Sequence, residues 1–157
     1  MTEETPQKQI LIQKLYLKDS SFEAPNTPQV FTEEWRPEIN LNLQTKNQVV
    51  GEDLREVVLS VTAEAKLGEK TAFICEVQQA GVFMIKGFSD EEQGQLVGAY
   101  CPNLLFAFAR EAVTDLVGKG GFPGLLLQPV NFEALYLKQM QEVAKAKAES
   151  ESTADKH

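Results

Sequence analysis

Histidine is nearly absent from this sequence: the single one, His157, is the last residue. That excludes most histidine-based catalytic triads and histidine-rich metal sites. Cysteine is scarce too. Cys75 and Cys101 form no CxxC pair, and in a cytosolic chain such thiols stay reduced and pack as small apolar side chains. No base accompanies Cys75 to make it a nucleophile. The only glycine-rich run, "GKGGFPG", lacks the Lys-Ser/Thr ending of a phosphate loop, and no obvious helix follows it. No apolar run approaches the ~18 residues that would span a bilayer. The opening "MTEETPQKQ" is acidic and polar, unlike a secretory signal, which argues for the cytosol. Little here points to an enzyme.

What is present is an ordinary globular composition. The chain has 157 residues, of which 43% are hydrophobic and 24% charged, enough for one domain with a real core. Its net charge is −8 and its pI about 4.7. Such a surface repels nucleic-acid phosphates and anionic lipids. It suits a basic partner, or simply keeps the protein in solution.

Hydrophobic alternation marks the strands. "QILIQKLYL" (9–17) reads as extended. "KDSSFEAPNTPQVF" then reads as an acid-flanked loop, because Pro25 and Pro28 lack backbone donors and Asn26 and Thr27 favour turns. "EINLNL" puts Ile39, Leu41 and Leu43 on one face of a half-buried strand. "DLREVVLSVTAEAKL" repeats Val57, Leu59, Val61, Ala63 and Ala65 every second residue. A hairpin turn at Gly68 leads into the return strand "TAFICEVQQAGVFMIKGF". That strand places Phe73, Cys75 and Val77 on one face and Ile74 with Glu76 on the other. It is either covered on both sides or presents one side to a partner.

Two helices follow. Ser89, with acids behind it, signals a helix start, and Pro102 opens the strong segment "PNLLFAFAREAVTDLV", whose broad apolar stripe implies two buried sides. Asn131 suits an N-cap for a last helix carrying Phe132, Leu135, Tyr136, Met140 and Val143 on one stripe. Four strands then two helices predict an α+β fold with an antiparallel sheet. Two helices cannot cover both faces of such a sheet, so a homo-oligomer of closed symmetry is expected.

Taken together, "DSSFEAPNTP", "FICEVQQAGVF", "GAYCPNLLFAFARE" and "PVNFEAL" give the chain a resemblance to SecB, the bacterial protein-export chaperone family, from about residue 9 to residue 140. The resemblance implies a four-stranded antiparallel sheet followed by two helices, assembled as a homotetramer, a dimer of dimers. It implies a cytoplasmic holdase that uses no ATP and no cofactor. Such a protein keeps secretory precursors unfolded and passes them to the SecA ATPase of the Sec translocase, with no nucleic-acid binding and no stable membrane insertion.

Positions matching the family's SecA-docking surface are Asp19 and Glu23 in the opening loop and Ile74 and Glu76 on the strand. Their target is SecA's basic C-terminal module, whose zinc belongs to SecA. Trp35, Leu41, Leu43 and Tyr136 match the client groove. Cys75, Val77 and Gln79, on the opposite strand face, match positions that hold the tetramer together. The implied organisation is a disordered N-terminus (1–8), a chaperone domain (9–144) and a flexible polar tail (145–157). That tail departs from the more acidic tails of the family. Two other readings are a SecB-like chaperone that protects an unfolded antitoxin, and an apolar-ligand carrier or hydrolase on the same scaffold. The docking set weighs against the first, and the lack of catalytic residues against a hydrolase.

Overall fold

The computed structural model describes residues 7–154. Most of the segment read as a disordered N-terminus, residues 1–6, and the last three residues lie outside that range. Four long strands form one antiparallel sheet: β1 (Gln9–Glu23), β2 (Glu38–Gly51), β3 (Leu54–Leu67) and β4 (Lys70–Lys86). Their spatial order is β1-β4-β3-β2, so β1 and β2 are the edges. The β3–β4 hairpin turns where expected, with Gly68 at φ 62°, a left-handed conformation glycine reaches without a Cβ clash.

Three helical segments complete the fold: α1 (Asp90–Gln95), α2 (Cys101–Lys119) and α3 (Phe132–Ala154). Ser89 caps α1 through a full capping box with Glu92. Helix α2 packs on β3 and β4. Its buried residues Leu105, Ala109, Val113 and Val117 recur at helical spacing and meet Val57, Leu59, Val61, Phe73, Cys75, Val77 and Phe83 in one core. Each fully buried side chain of this size contributes roughly 1.5–3 kcal/mol.

Three local expectations are corrected. Asp19 and Glu23 do not lie in a loop. Strand β1 continues to Glu23, which pairs with Ile74, because the donor-lacking residues begin only at Pro25 and the ladder with β4 remains available up to that point. The proline segment is therefore shorter, 24–37. It holds a cis Thr27–Pro28 bond, a 3-10 turn at Gln29–Thr32, and an Asn26 side chain that donates to the Thr71 carbonyl at 2.8 Å.

Second, Pro102 does not open a separate helix. A π-turn, Leu96–Tyr100, joins α1 to α2 without a break. Pro102 has no N–H for the helix ladder and its ring crowds the preceding turn; the widened turn just before it accommodates both.

Third, the segment expected to be a flexible tail is helical as far as Ala154. Its Ala, Lys and Glu residues are strong helix formers, and they extend a helix already nucleated at the Phe132 anchor. Asn131 caps α3 as the sequence suggests, its Oδ1 accepting from the Ala134 N–H at 3.0 Å.

Candidate functional site

The two faces of the sheet carry different chemistry. On the side away from α2, Glu23 pairs with Ile74, Ser21 with Glu76 and Asp19 with Gln78. Across β4, Ile74 faces Glu64, Glu76 faces Thr62 and Gln78 faces Ser60. Paired residues share a face in an antiparallel ladder. Asp19, Glu23, Ile74 and Glu76 are thus gathered at one end of an open face, beside Ser, Thr, Asn and Gln; toward the other end of β4 the same face carries Val58, Ala80 and Val82. The end of this face around Ile74 is mostly polar and carries little apolar surface that a second helical layer would have to cover. Among the described residues, Asp19, Glu23 and Glu76 enter no ion pair, whereas Glu64 is paired with Lys66 at 3.5 Å. The carboxylates around Ile74 are available to a cationic partner.

On the helix side, Trp35 packs over Phe73 (6.4 Å between ring centroids) and Phe122 (5.5 Å). Phe22 and Phe31 join the same cluster. Leu41 pairs with Ala63 and Leu43 with Val61 on that side of edge strand β2. Helix α2 covers β3 and β4, so Leu41 remains 40% exposed and Leu43 half-buried. Leu41 and Leu43 make an apolar edge on the helix side of the sheet, the side on which Trp35 packs over Phe73.

Tyr136 does not join them. It lies beyond the other end of β4, its ring against the π-turn. A Cβ built on Gly98 would stand 2.4 Å from Tyr136 Cδ2, and one on Gly94 would stand 2.8 Å from its Oη. There Tyr136 lines a cavity of about 700 Å³ with Phe88, Leu96, Tyr100, Val130 and Phe132. Phe132 anchors α3 edge-on to Phe106 at 5.7 Å. Beyond this anchor Leu137, Met140 and Val143 are exposed.

Cys75, Val77 and Gln79 face away from the acidic side, as alternation requires, and all three are buried beneath the chain's own α2. Within the single chain they contribute little accessible surface, Gln79 at the floor of a depression lined by Phe108, Glu111 and Leu126. Gln79 donates to the Tyr16 carbonyl at 3.1 Å. Above it, Phe108 on α2 is 42% exposed. Burial pushes the Cys75 thiol up to about 11 and the Cys101 thiol up to about 12, so both stay protonated at neutral pH.

A feature that sequence reasoning missed sits on the open face. Glu56 is only 8% exposed. It accepts hydrogen bonds from Lys18 Nζ at 2.8 Å, from Gln48 Nε2 at 3.0 Å and from the Tyr16 hydroxyl. The Lys18 and Tyr16 hydrogen bonds hold its carboxyl below the usual carboxylate range. Burial, reinforced by Glu56, pushes the Tyr16 hydroxyl up to about 12. The available signal was a charged residue inside an apolar alternating strand; Gln48 is its hairpin neighbour, but Lys18 and Tyr16 come from a strand distant in sequence.

Comparison with known proteins agrees with this architecture. The family described as preprotein translocase subunit SecB matches residues 3–143. The protein-export protein SecB of Nitrosococcus oceani is 58% identical over 143 residues, covering 90% of this chain and 87% of that protein. The protein of the same name from Marinobacter nauticus is 51% identical over 150 residues, covering 94% and 91%. Among solved structures, a SecB-like chaperone of Mycobacterium tuberculosis, bound to a peptide of the HigA1 antitoxin, superimposes with a TM-score of 0.64 at 16% identity. It covers 77% of this chain and 90% of its own. The chain belongs to the SecB family.

Proposed function

We propose that this protein is an ATP-independent holdase of the bacterial cytosol. It keeps secretory precursors unfolded and delivers them to SecA. Relatives more than half identical over nine-tenths of the chain, all named for protein export, support this reading. The observation that carries it is the division of labour across one sheet. Asp19, Glu23 and Glu76 surround Ile74 on the open face, a fit for a basic SecA module with an aliphatic contact. Trp35, Leu41 and Leu43 line the opposite side, where an unfolded chain offers apolar side chains. Burial there gains roughly 25 cal/mol per Å² without regard to sequence. Tyr136 and the adjacent cavity give clients a second apolar station.

The working unit is a homotetramer, a dimer of dimers. Several grooves on one particle raise the effective concentration of binding sites for a long client. Cys75, Val77 and Gln79 act in assembly through the seat of α2, whose outer side carries the exposed Phe108. The chaperone unit spans 9–144, and the segment 145–157 is a peripheral polar extension. Protection of an antitoxin is not favoured: the antitoxin-bound structure is only 16% identical and speaks for the fold alone.

The test is capture of SecA by immobilised wild type and by Asp19→Ala/Glu23→Ala. Loss of capture in the double variant, with suppression of precursor aggregation unchanged, is expected. Equal capture by both rejects the docking assignment.

A further inference from the structure

The docking face works only if β1 presents its acids outward, and the ladder shows how narrowly that is arranged. Between Leu17↔Gln79 and Asp19↔Gln78, Lys18 has no partner on β4. It is the extra residue of a β-bulge. Before the bulge Tyr16, opposite Ala80, faces the open side; after it Asp19, Ser21 and Glu23 do. In a ladder without the bulge Lys18 would pair with Gln78, Asp19 would oppose Val77, and Glu23 would oppose Phe73. Both acids would then turn into the core, because a one-residue shift reverses every side chain.

The Glu56 carboxylate sits on this bulge. Glu56 belongs to β3, opposite Val82 of β4, and its donors Lys18 and Tyr16 reach it from β1 across the small and β-branched residues Ala80 and Val82. Gln48 reaches it from β2. One buried carboxylate thus ties the bulged edge strand to the far half of the sheet. We infer that Glu56, Lys18 and Tyr16 are positioning residues of the docking face: they fix the bulge that turns Asp19 and Glu23 toward the partner. This rests on the SecA-docking reading above.

Lys18 makes the inference testable, because position and charge predict opposite signs. Lys18→Met removes a cation beside an acidic face, so a purely electrostatic role makes a basic partner bind more tightly. A positioning role makes it bind more weakly. SecA is titrated calorimetrically against the full-length wild type, Lys18→Met, Lys18→Arg, Tyr16→Phe and Glu76→Lys. Expected are roughly tenfold weaker binding by Lys18→Met, near recovery in Lys18→Arg, and a loss of several-fold in Tyr16→Phe, which alters no charge at neutral pH. Unchanged or tighter binding by Lys18→Met overturns the inference. Where Lys18→Met fails to fold, unchanged binding by Tyr16→Phe overturns it equally. Glu76→Lys separates the two levels: if it binds SecA like wild type, the docking reading fails and takes this inference with it. If it loses binding while Lys18→Met and Tyr16→Phe do not, only the inference fails.

Discussion

Glu23 and Ile74 face each other across the β1–β4 ladder, on the side of the sheet opposite α2. The pair joins a carboxylate to a half-buried aliphatic side chain, the combination that reads both charge and apolar surface on a partner. Ile74→Ala removes the aliphatic half. It is expected to weaken SecA binding about tenfold, with a stability change below about 1.5 kcal/mol because the site is not fully enclosed. Calorimetric titration beside urea denaturation checks both parts.

Client holding depends on the apolar helix side of the sheet. Trp35→Ala removes the ring packed on Phe73 and Phe122, and Tyr136→Ala empties a wall of the second station. Each variant is expected to slow suppression of precursor aggregation in light scattering, while sedimentation still reports the wild-type oligomer. Full holdase activity in the double variant rejects these assignments.

Gly98 and Tyr136 are matched in shape. A methyl group at Gly98 has no room beside the Tyr136 ring, so Gly98→Ala is expected to destabilise the protein by about 1–3 kcal/mol through overpacking. In a Tyr136→Ala background the clash is gone, and the helical preference for alanine, about 1 kcal/mol, acts alone. Gly98→Ala then stabilises. Thermal melts of the four proteins reveal whether the sign reverses.

The Glu56 cluster sets a pH dependence. The Lys18 and Tyr16 hydrogen bonds lower the Glu56 pKa from its ordinary 4.5. Its contribution is therefore present above the carboxylate range and is lost as pH falls through the lowered native value. The Tyr16 pKa is raised from 10.0 to about 12, so that contribution holds below pH 10 and is lost as pH rises toward 12. The stability gap between wild type and Glu56→Gln should narrow on acidification in denaturant titrations. A gap constant across the acid limb contradicts the linkage.

The strands were legible because their burial alternates. Val57 to Ala65 and Phe73 to Val77 announce one buried face, and the structure keeps that parity. The two helices and their caps at Ser89 and Asn131 were legible for the same local reasons. Most of what escaped was tertiary. The bulge at Lys18 depends on a carboxylate 38 residues away, and the continuation of β1 through Asp19 depends on pairing with β4 rather than on propensity. The π-turn before Pro102 escaped for a local reason, since a proline reads as a helix start whether or not helix precedes it. Alternation separated Cys75, Val77 and Gln79 from Ile74 and Glu76, but it does not tell which side the chain's own α2 covers. Nor does spacing tell that Tyr136 stands at the opposite end of β4 from Trp35.

The central claim is that the two sides of one sheet serve different partners. Glu76→Lys measures it most directly, with SecA affinity and suppression of precursor aggregation read on the same preparation. The account predicts SecA binding lost and aggregation suppressed as by wild type. Loss of both activities together, in a protein that remains folded and assembled, would contradict it.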